Sequence, residues 1–332
     1  MHDWDQAMVH SNIADLFKHL DPDKTVIIYS KTSWEKAIKV GAPVSPEDIF
    51  ICSVSKQIPY STYDTCVNKD IETIVGVGGG TAIDIAKYLA YKYSRRCIAV
   101  PSMLSTNVFA TDKVAEITPK GKITTQGALP DEVWIDEDFL KLSIKENVYG
   151  LADAMSIGTA LNDWIIAENE NNEIIDHKIY GMACETLCDA LEASITTDNL
   201  LKLCNVITAS GYITNEYGSG RPESGSEHIV AKEIERLLPV PHAVAVTCGI
   251  ATMGQLQPYS VMVRYLIPTA LKRLGLYNDV KKYIKIDVLY KAISNVTARP
   301  DRYTIIDHCL KIDKAYFQKH ADAIIETSGL YD

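Results

Sequence analysis

At 332 residues the chain exceeds what one hydrophobic core usually supports, so its length favours two domains. A formal charge of −10 without any Lys/Arg block argues against nucleic acid or an anionic membrane as partner, but not against a small anion in a locally positive site. No run reaches the roughly 18 to 20 apolar residues of a membrane span. The amphipathic, acid-bearing start MHDWDQAMVHSNIADLFKHL is unlike a signal peptide, and the eight cysteines form no CxxC pair. These features predict a cytoplasmic protein with reduced thiols.

In chain order, TVIIYS (Thr25–Ser30) follows a Pro/Asp turn and reads as the first strand, and SWEKAIKV as a helix. DIFICSV, TIVGV and CIAVPS are three further buried strands. VAEITPKGKITTQ reads as a hairpin around Pro119–Gly121, and EVWID as a last short strand. Apolar strands separated by helical stretches predict an α/β domain over residues 1–149, a Rossmann-like parallel sheet with helices on both faces. From Gly150 to Asp332 the apolar spacing turns helical, in LADAMSIGTALNDWIIAEN, KIYGMACETLCDALEASI, NLLKLCNVITASGYITNEY and AVAVTCGIATMGQLQ. An all-helical second domain is expected, with the crevice between the two as the default site.

Two local patterns carry chemistry. TIVGVGGGTAIDIAKYLAY places a strand, three glycines and a helix in immediate succession, a turn whose free N–H groups and helix dipole suit a phosphate. Gly76-Val77-Gly78 followed by Thr81 half-matches the dinucleotide fingerprint, and Asp84 lies on the new helix. Asp84 is counted with the cofactor site, the alternative being a solvated surface pair with Lys87 three residues on. In the helical part from Gly150 onward, Asp153, His228 and His242 each open or lie on an apolar helix. One carboxylate and two imidazoles suit a divalent metal with a position left for substrate.

The strings GVGGGTAIDIAK, PSMLSTN, GLADAMS…DW and SGRPESGSEH together resemble the superfamily of iron-containing alcohol dehydrogenases, glycerol dehydrogenases and dehydroquinate synthases. GSGRPESGSEH is most similar to the sn-glycerol-1-phosphate dehydrogenases, and the resemblance spans roughly residues 20 to 260. It implies a dehydroquinate synthase-like fold whose first domain binds a nicotinamide dinucleotide and whose second binds metal and substrate. It further implies that Gly78, Gly79 and Gly80 cradle the pyrophosphate, that Ser102, Ser105 and Thr111 contact the cofactor, and that Asp153, His228 and His242 hold the metal. Zinc is the expected ion, with iron or nickel as alternatives.

Departures from the family pattern cluster around the substrate. Asn107 stands where these relatives carry an aspartate, Lys232 where they commonly carry a second histidine, and Ala243–Val244 where Gly-Glu follows the last ligand. Comparison with dehydroquinate synthases adds Arg221, seven residues before His228, and Lys113, which with Lys232 would give three cations for an anionic substrate. The expected activity is a metal-dependent NAD(P)(H) oxidoreductase that interconverts a small ketone and secondary alcohol, with a phosphorylated polyol such as glycerol 1-phosphate/dihydroxyacetone phosphate as substrate. A sugar-phosphate cyclase of the dehydroquinate synthase type is the second reading, and a nucleotide-binding homologue without catalysis the third. Ser30 and Lys31 end the first strand, where NAD-preferring relatives carry an aspartate, so NADP is expected to be accepted alongside NAD. A homo-oligomer is expected.

Overall fold

The computed structural model describes residues 8–43, 50–53, 58–118 and 121–332. Residues 1–7 of the amphipathic start, Asp48, Ile49 and Val54 at the ends of DIFICSV, and Pro119 at the hairpin turn lie outside the described residues. The chain divides into two compact units: Met1–Asn147 with Leu200–Gly211, and Val148–Asn199 with Tyr212–Asp332.

In the first unit the strands are β1 (Met8–His10), β2 (Thr25–Tyr29), β3 (Phe50–Ser53), β4 (Thr73–Gly78), β5 (Arg96–Pro101), β6 (Lys113–Thr118), β7 (Gly121–Gln126) and β8 (Glu132–Ile135). The helices are α1 (Ile13–His19), α2 (Lys31–Lys39), α3 (Gly80–Tyr93), α4 (Glu137–Lys141) and α5 (Ile144–Asn147). Six strands form one parallel sheet in the order β1-β8-β5-β4-β2-β3, and β6 pairs antiparallel with β7 as the expected hairpin.

Alternation along the strands divides the core between the two faces. Val26, Ile28 and Ile74 pack with Ile85, Ala86 and Leu89 of α3, while Ile27, Val75, Val77 and Val100 pack with Ile13, Leu16, Trp34 and Phe139. Both faces are buried, which is why these strands read as continuous apolar runs. β1 was not expected. Its three residues pair with Val133–Ile135 of β8 and are too few to show a period.

The sheet order places a switch point at β2 and β4. The chain leaves β2 for β3 on one side and comes back to β4 on the other, so the connections run in opposite directions from that pair. In open parallel sheets ligands bind beyond the carboxyl ends of such strands.

The second unit is helical: α6 (Tyr149–Met155), α7 (Ile157–Asn171), α8 (His177–Ala193), α9 (Leu200–Tyr217, shared with the first unit), α10 (Ser226–Leu237), α11 (His242–Leu256), α12 (Ile267–Arg273), α13 (Leu276–Tyr283), α14 (Ile286–Ser294), α15 (Ile305–Ile312) and α16 (Tyr316–Ser328). The string LADAMSIGTALNDWIIAEN forms two helices rather than one. At the break, the Ser156 hydroxyl bonds to Asp153 O at 2.6 Å and to Glu223 O at 2.7 Å. Helix α11 is buried from Ala243 to Gly254 and forms the unit's centre. Among the described residues no helix is long and apolar enough to cross a membrane.

Candidate metal centre and dinucleotide cradle

Three helices of the second unit bring Asp153, His228 and His242 together, with one ligand atom of each inside a 4.8 Å sphere of mutual distances. Asp153 lies on α6, His228 two residues into α10, and His242 opens α11. Helices α10 and α11 approach closely because Gly249 has no side chain: a Cβ there would stand 2.1 Å from Glu227 O. The start of α10 is fixed by the fully buried Asp163. Its carboxylate accepts from Ser226 N at 2.6 Å and from Ile305 N at 2.9 Å, capping two helices at once.

The donor atoms suit a dication. Asp153 Oδ1 stands 3.2 Å from His228 Nε2 and 3.4 Å from His242 Nε2, against an edge of about 3.4 Å for a tetrahedral shell of radius near 2.1 Å. Each imidazole is gripped at its other nitrogen by a carboxylate: His228 Nδ1 lies 2.8 Å from Glu227 Oε1, and His242 Nδ1 lies 2.8 Å from Glu235 Oε1. When Nδ1 donates to the glutamate, the Nε2 lone pair is left for a metal. Glu227 is fully buried, and its second oxygen has no hydrogen-bond partner among the described residues. Three carboxylates around two imidazoles leave an excess of negative charge that a divalent cation would balance.

Without a metal, a proton on His228 would meet part of that charge. Burial works to raise the Asp153 carboxyl, but the His242 and His228 imidazoles overcome it and hold it far below the carboxylate range. Burial works to lower His228, and its bonds to Asp153 and Glu227 lift it instead to about 9.

In the first unit the glycines do different work. Gly76 lets α3 lie against β4, since a Cβ there would sit 2.9 Å from Ala86 Cβ and 3.0 Å from Ile83 Cα. Gly78 has φ +149°, and a Cβ would meet Ser33 Oγ at 2.9 Å. Around Gly79 and Gly80, among the described residues and apart from the turn's own neighbours, a Cβ would come nearest to Met103 Sδ at 3.6 Å and Thr106 Oγ1 at 3.7 Å. The last two glycines thus leave a cradle that side chains would fill, at the uncapped N-terminus of α3.

Ser30 caps α2 by accepting from Ser33 N, and Lys31 is exposed, 4.0 Å from Glu35. Ser102 is fully buried with its hydroxyl 3.5 Å from that of Ser33, Ser105 is half-buried, and Thr111 accepts from Lys113 N. Asp84 and Lys87 are not a solvated pair. Both are buried, 3.8 Å apart, because their shared face of α3 packs against the hairpin.

The residues expected at the substrate are placed as follows. Asn107 donates to Ser210 Oγ at 3.2 Å. Lys113 Nζ is held by Gln126 Oε1 and Asp112 Oδ1, both at 2.9 Å. Lys232 lies one turn after His228 on α10 and is half-buried. Arg221 is buried and engaged by its own unit: it donates twice to the Glu173 carboxylate, and also to Asp163 O and Tyr303 O. Arg302 donates to Gly220 O and Ser224 O on the same loop. Glu235 and Arg302 do not stand out in the sequence, and Asp163 does so only within the DW string, because their partners are remote or lack a fixed spacing.

The family model described as iron-containing alcohol dehydrogenase matches residues 9–143. A glycerol-1-phosphate dehydrogenase (NAD(P)+) of Sulfurisphaera tokodaii is 30% identical over 273 residues, covering 79% of this chain and 75% of the relative. The chain belongs to the iron-containing alcohol dehydrogenase family, in the group that includes the glycerol-1-phosphate dehydrogenases. Another such dehydrogenase of this family, from Methanospirillum hungatei, is 26% identical over 326 residues, covering 91% of this chain and 88% of the relative. Among solved structures of the family fold, a probable glycerol dehydrogenase from Sinorhizobium meliloti 1021 superposes with a TM-score of 0.71 at 15% identity, over 97% of this chain and 96% of that one. At that identity the likeness carries the fold alone.

Proposed function

We propose that the chain is a metal-dependent NAD(P)(H) oxidoreductase that interconverts a small ketone and its secondary alcohol, with a phosphorylated polyol of the glycerol 1-phosphate/dihydroxyacetone phosphate type as substrate. The observation that carries this reading is the Asp153–His228–His242 cluster, in which a glutamate holds the outer nitrogen of each imidazole. A divalent metal there supplies Lewis-acid stabilisation of the charge that develops on the substrate oxygen. Zinc fits one carboxylate and two imidazoles best, ahead of iron or nickel. Membership of a family whose matched relatives bear the name of NAD(P)-dependent dehydrogenases supports hydride transfer and does not favour the cyclase.

The chain's residues divide the remaining work. The first unit takes the dinucleotide: the N–H groups at Gly79 and Gly80 and the dipole of α3 hold the pyrophosphate. The strand end at Ser30 and Lys31 carries no acid of its own, and the Lys31 ammonium, 4.0 Å from Glu35, would meet a 2′-phosphate there, so NADP(H) would be accepted. Ser102, Ser105 and Thr111 belong to the loop beside it. The second unit binds metal and substrate. Lys232, on the helix of His228, takes the anionic end of the substrate. The Asn107 amide would orient a substrate hydroxyl but cannot take up its proton, so the proton that ketone reduction requires would come from water or a substrate hydroxyl. Arg221, with its own carboxylate and two carbonyls, holds the loop that leads into α10 rather than the substrate. The exposed cluster of Tyr259, Val261, Tyr265 and Leu266 supports assembly into a homo-oligomer.

The test is a panel of dihydroxyacetone phosphate, dihydroxyacetone and glycerol, run with both cofactors on metal-reconstituted protein. Loss of reduced-cofactor absorbance with dihydroxyacetone phosphate is expected. Phosphate release without net cofactor change would indicate a cyclase, and binding without turnover a non-catalytic homologue.

A further inference from the structure

Lys87, on the third turn of α3, is among the largest fully buried side chains of the molecule. Its ammonium donates to Val108 O at 2.8 Å and to Lys113 O at 2.5 Å, with Asp84 3.8 Å away. Asp84 Oδ2 in turn accepts from Ala115 N at 3.3 Å, and Lys87 O accepts from Ala128 N at 3.1 Å. One turn of α3 therefore grips the chain before the β6–β7 hairpin, within it and after it. A buried ammonium is costly unless its donors are met, and an apolar side chain would fill the same space without that cost. Burial accordingly pulls the Lys87 ammonium below its ordinary range, opposed by Asp84. The hydride chemistry described above makes no use of it.

What Lys87 grips is the far end of the cradle wall. Met103, Thr106 and Val108 are the side chains that face the empty Cβ positions of Gly79 and Gly80, and Val108 carries the carbonyl that Lys87 holds. The sheet order says which half of a dinucleotide meets that wall. β4, which feeds the glycine turn, lies between β2, which ends at Ser30 and Lys31, and β5, which feeds the Ser102–Thr111 loop. With the pyrophosphate at the turn and adenosine towards β2, the nicotinamide half extends towards β5 and its loop.

We propose that Lys87 is a positioning residue: it ties the Ser102–Thr111 loop to the helix of the glycine turn, so that the nicotinamide half of the cofactor meets a wall already in place. This rests on the dinucleotide reading above, and the experiment separates the two. Affinities for NADPH, NADH and ADP-ribose, which lacks the nicotinamide, are measured by calorimetry for the unmodified protein and for Lys87→Met. Loss of two charge-assisted bonds at the wall is expected to weaken the intact dinucleotides about tenfold and to leave ADP-ribose within about twofold. Hydrogen exchange of residues 108–115 is expected to quicken in the same variant. Lys87→Gln, which keeps a donor in the same space, is the second variant should the methionine variant not fold, and it is expected to show a smaller loss of the same selectivity. Equal weakening of ADP-ribose and dinucleotides, no weakening at all, or failure of both variants to fold would overturn the inference. Failure of the unmodified protein to bind ADP-ribose or either dinucleotide would instead overturn the cofactor site itself, and the inference with it.

Discussion

Glu235 and His242 meet at 2.8 Å, carboxylate to Nδ1, across the turn that joins α10 to α11. The contact fixes which imidazole nitrogen faces Asp153, and such partners typically matter to metal affinity by about 10- to 100-fold. Glu235→Ala is expected to weaken zinc binding by about that factor while leaving the helical content intact, and Glu235→Gln to weaken it less. Competition with a chromogenic chelator measures both. Unchanged affinity in the alanine variant would remove Glu235 from the site.

Proton and metal compete for His228. Its folded value of about 9 lies above the ordinary 6.5, so protonation stabilises the metal-free fold fully below pH 6.5, and that contribution is lost as pH rises through about 9. A proton must leave before a metal binds, so apparent zinc affinity is expected to rise about tenfold per pH unit from 7 to 9 and then flatten. Binding titrations at several pH values check this, and an affinity flat from pH 7 upward would contradict it.

Helix α11 can reach α10 only past Gly249. Gly249→Ala places a methyl 2.1 Å from Glu227 O, on backbone that cannot step aside. The variant is expected to lose about 2–3 kcal/mol of stability and, by parting His228 from His242, much of its zinc affinity. Thermal melts with and without zinc measure the two effects, and an unshifted melting temperature would mean the crossing is looser than described.

Arg221 is expected to act on stability and not on substrate charge. Arg221→Ala strands Glu173 and two carbonyls and is expected to cost about 3 kcal/mol. KM for dihydroxyacetone phosphate and for dihydroxyacetone should change by similar factors. A rise confined to the phosphorylated ketone would return Arg221 to the substrate.

Lys31→Ala is expected to shift cofactor preference towards NAD(H), because the exposed ammonium is the charge proposed to accommodate a 2′-phosphate. The ratio of kcat/KM for NADPH and NADH measures it, and strict NADH dependence of the unmodified protein would contradict it.

Local physics made much of this legible. TVIIY and TIVGV read as buried strands because both sheet faces are covered, and the glycine turn because strand and helix follow each other without a linker. The three proposed metal ligands stood out by residue type, and the structure shows them together. Non-local partners did not show. Asp163 caps α10 and α15 from 63 and 142 residues away, and no spacing announces that. Asp84 and Lys87 had the spacing of a surface ion pair, but periodicity cannot tell a solvated helix face from one covered by a hairpin. Arg221 stood out by its spacing to His228, whereas its partner Glu173, 48 residues earlier in the chain, did not. β1 was too short to carry any period, and Ser156 breaks a helical run whose apolar spacing is continuous.

Loaded with a divalent metal, the Asp153–His228–His242 centre is proposed to make this chain a ketone reductase. This is tested most directly by following reduced-cofactor absorbance after dihydroxyacetone phosphate is added to chelator-treated protein before and after reconstitution with zinc, with His228→Ala as the paired sample. No consumption before zinc, restored consumption after it, and none in the His228→Ala variant at any zinc concentration is the expected result; full turnover by the metal-free protein would contradict it.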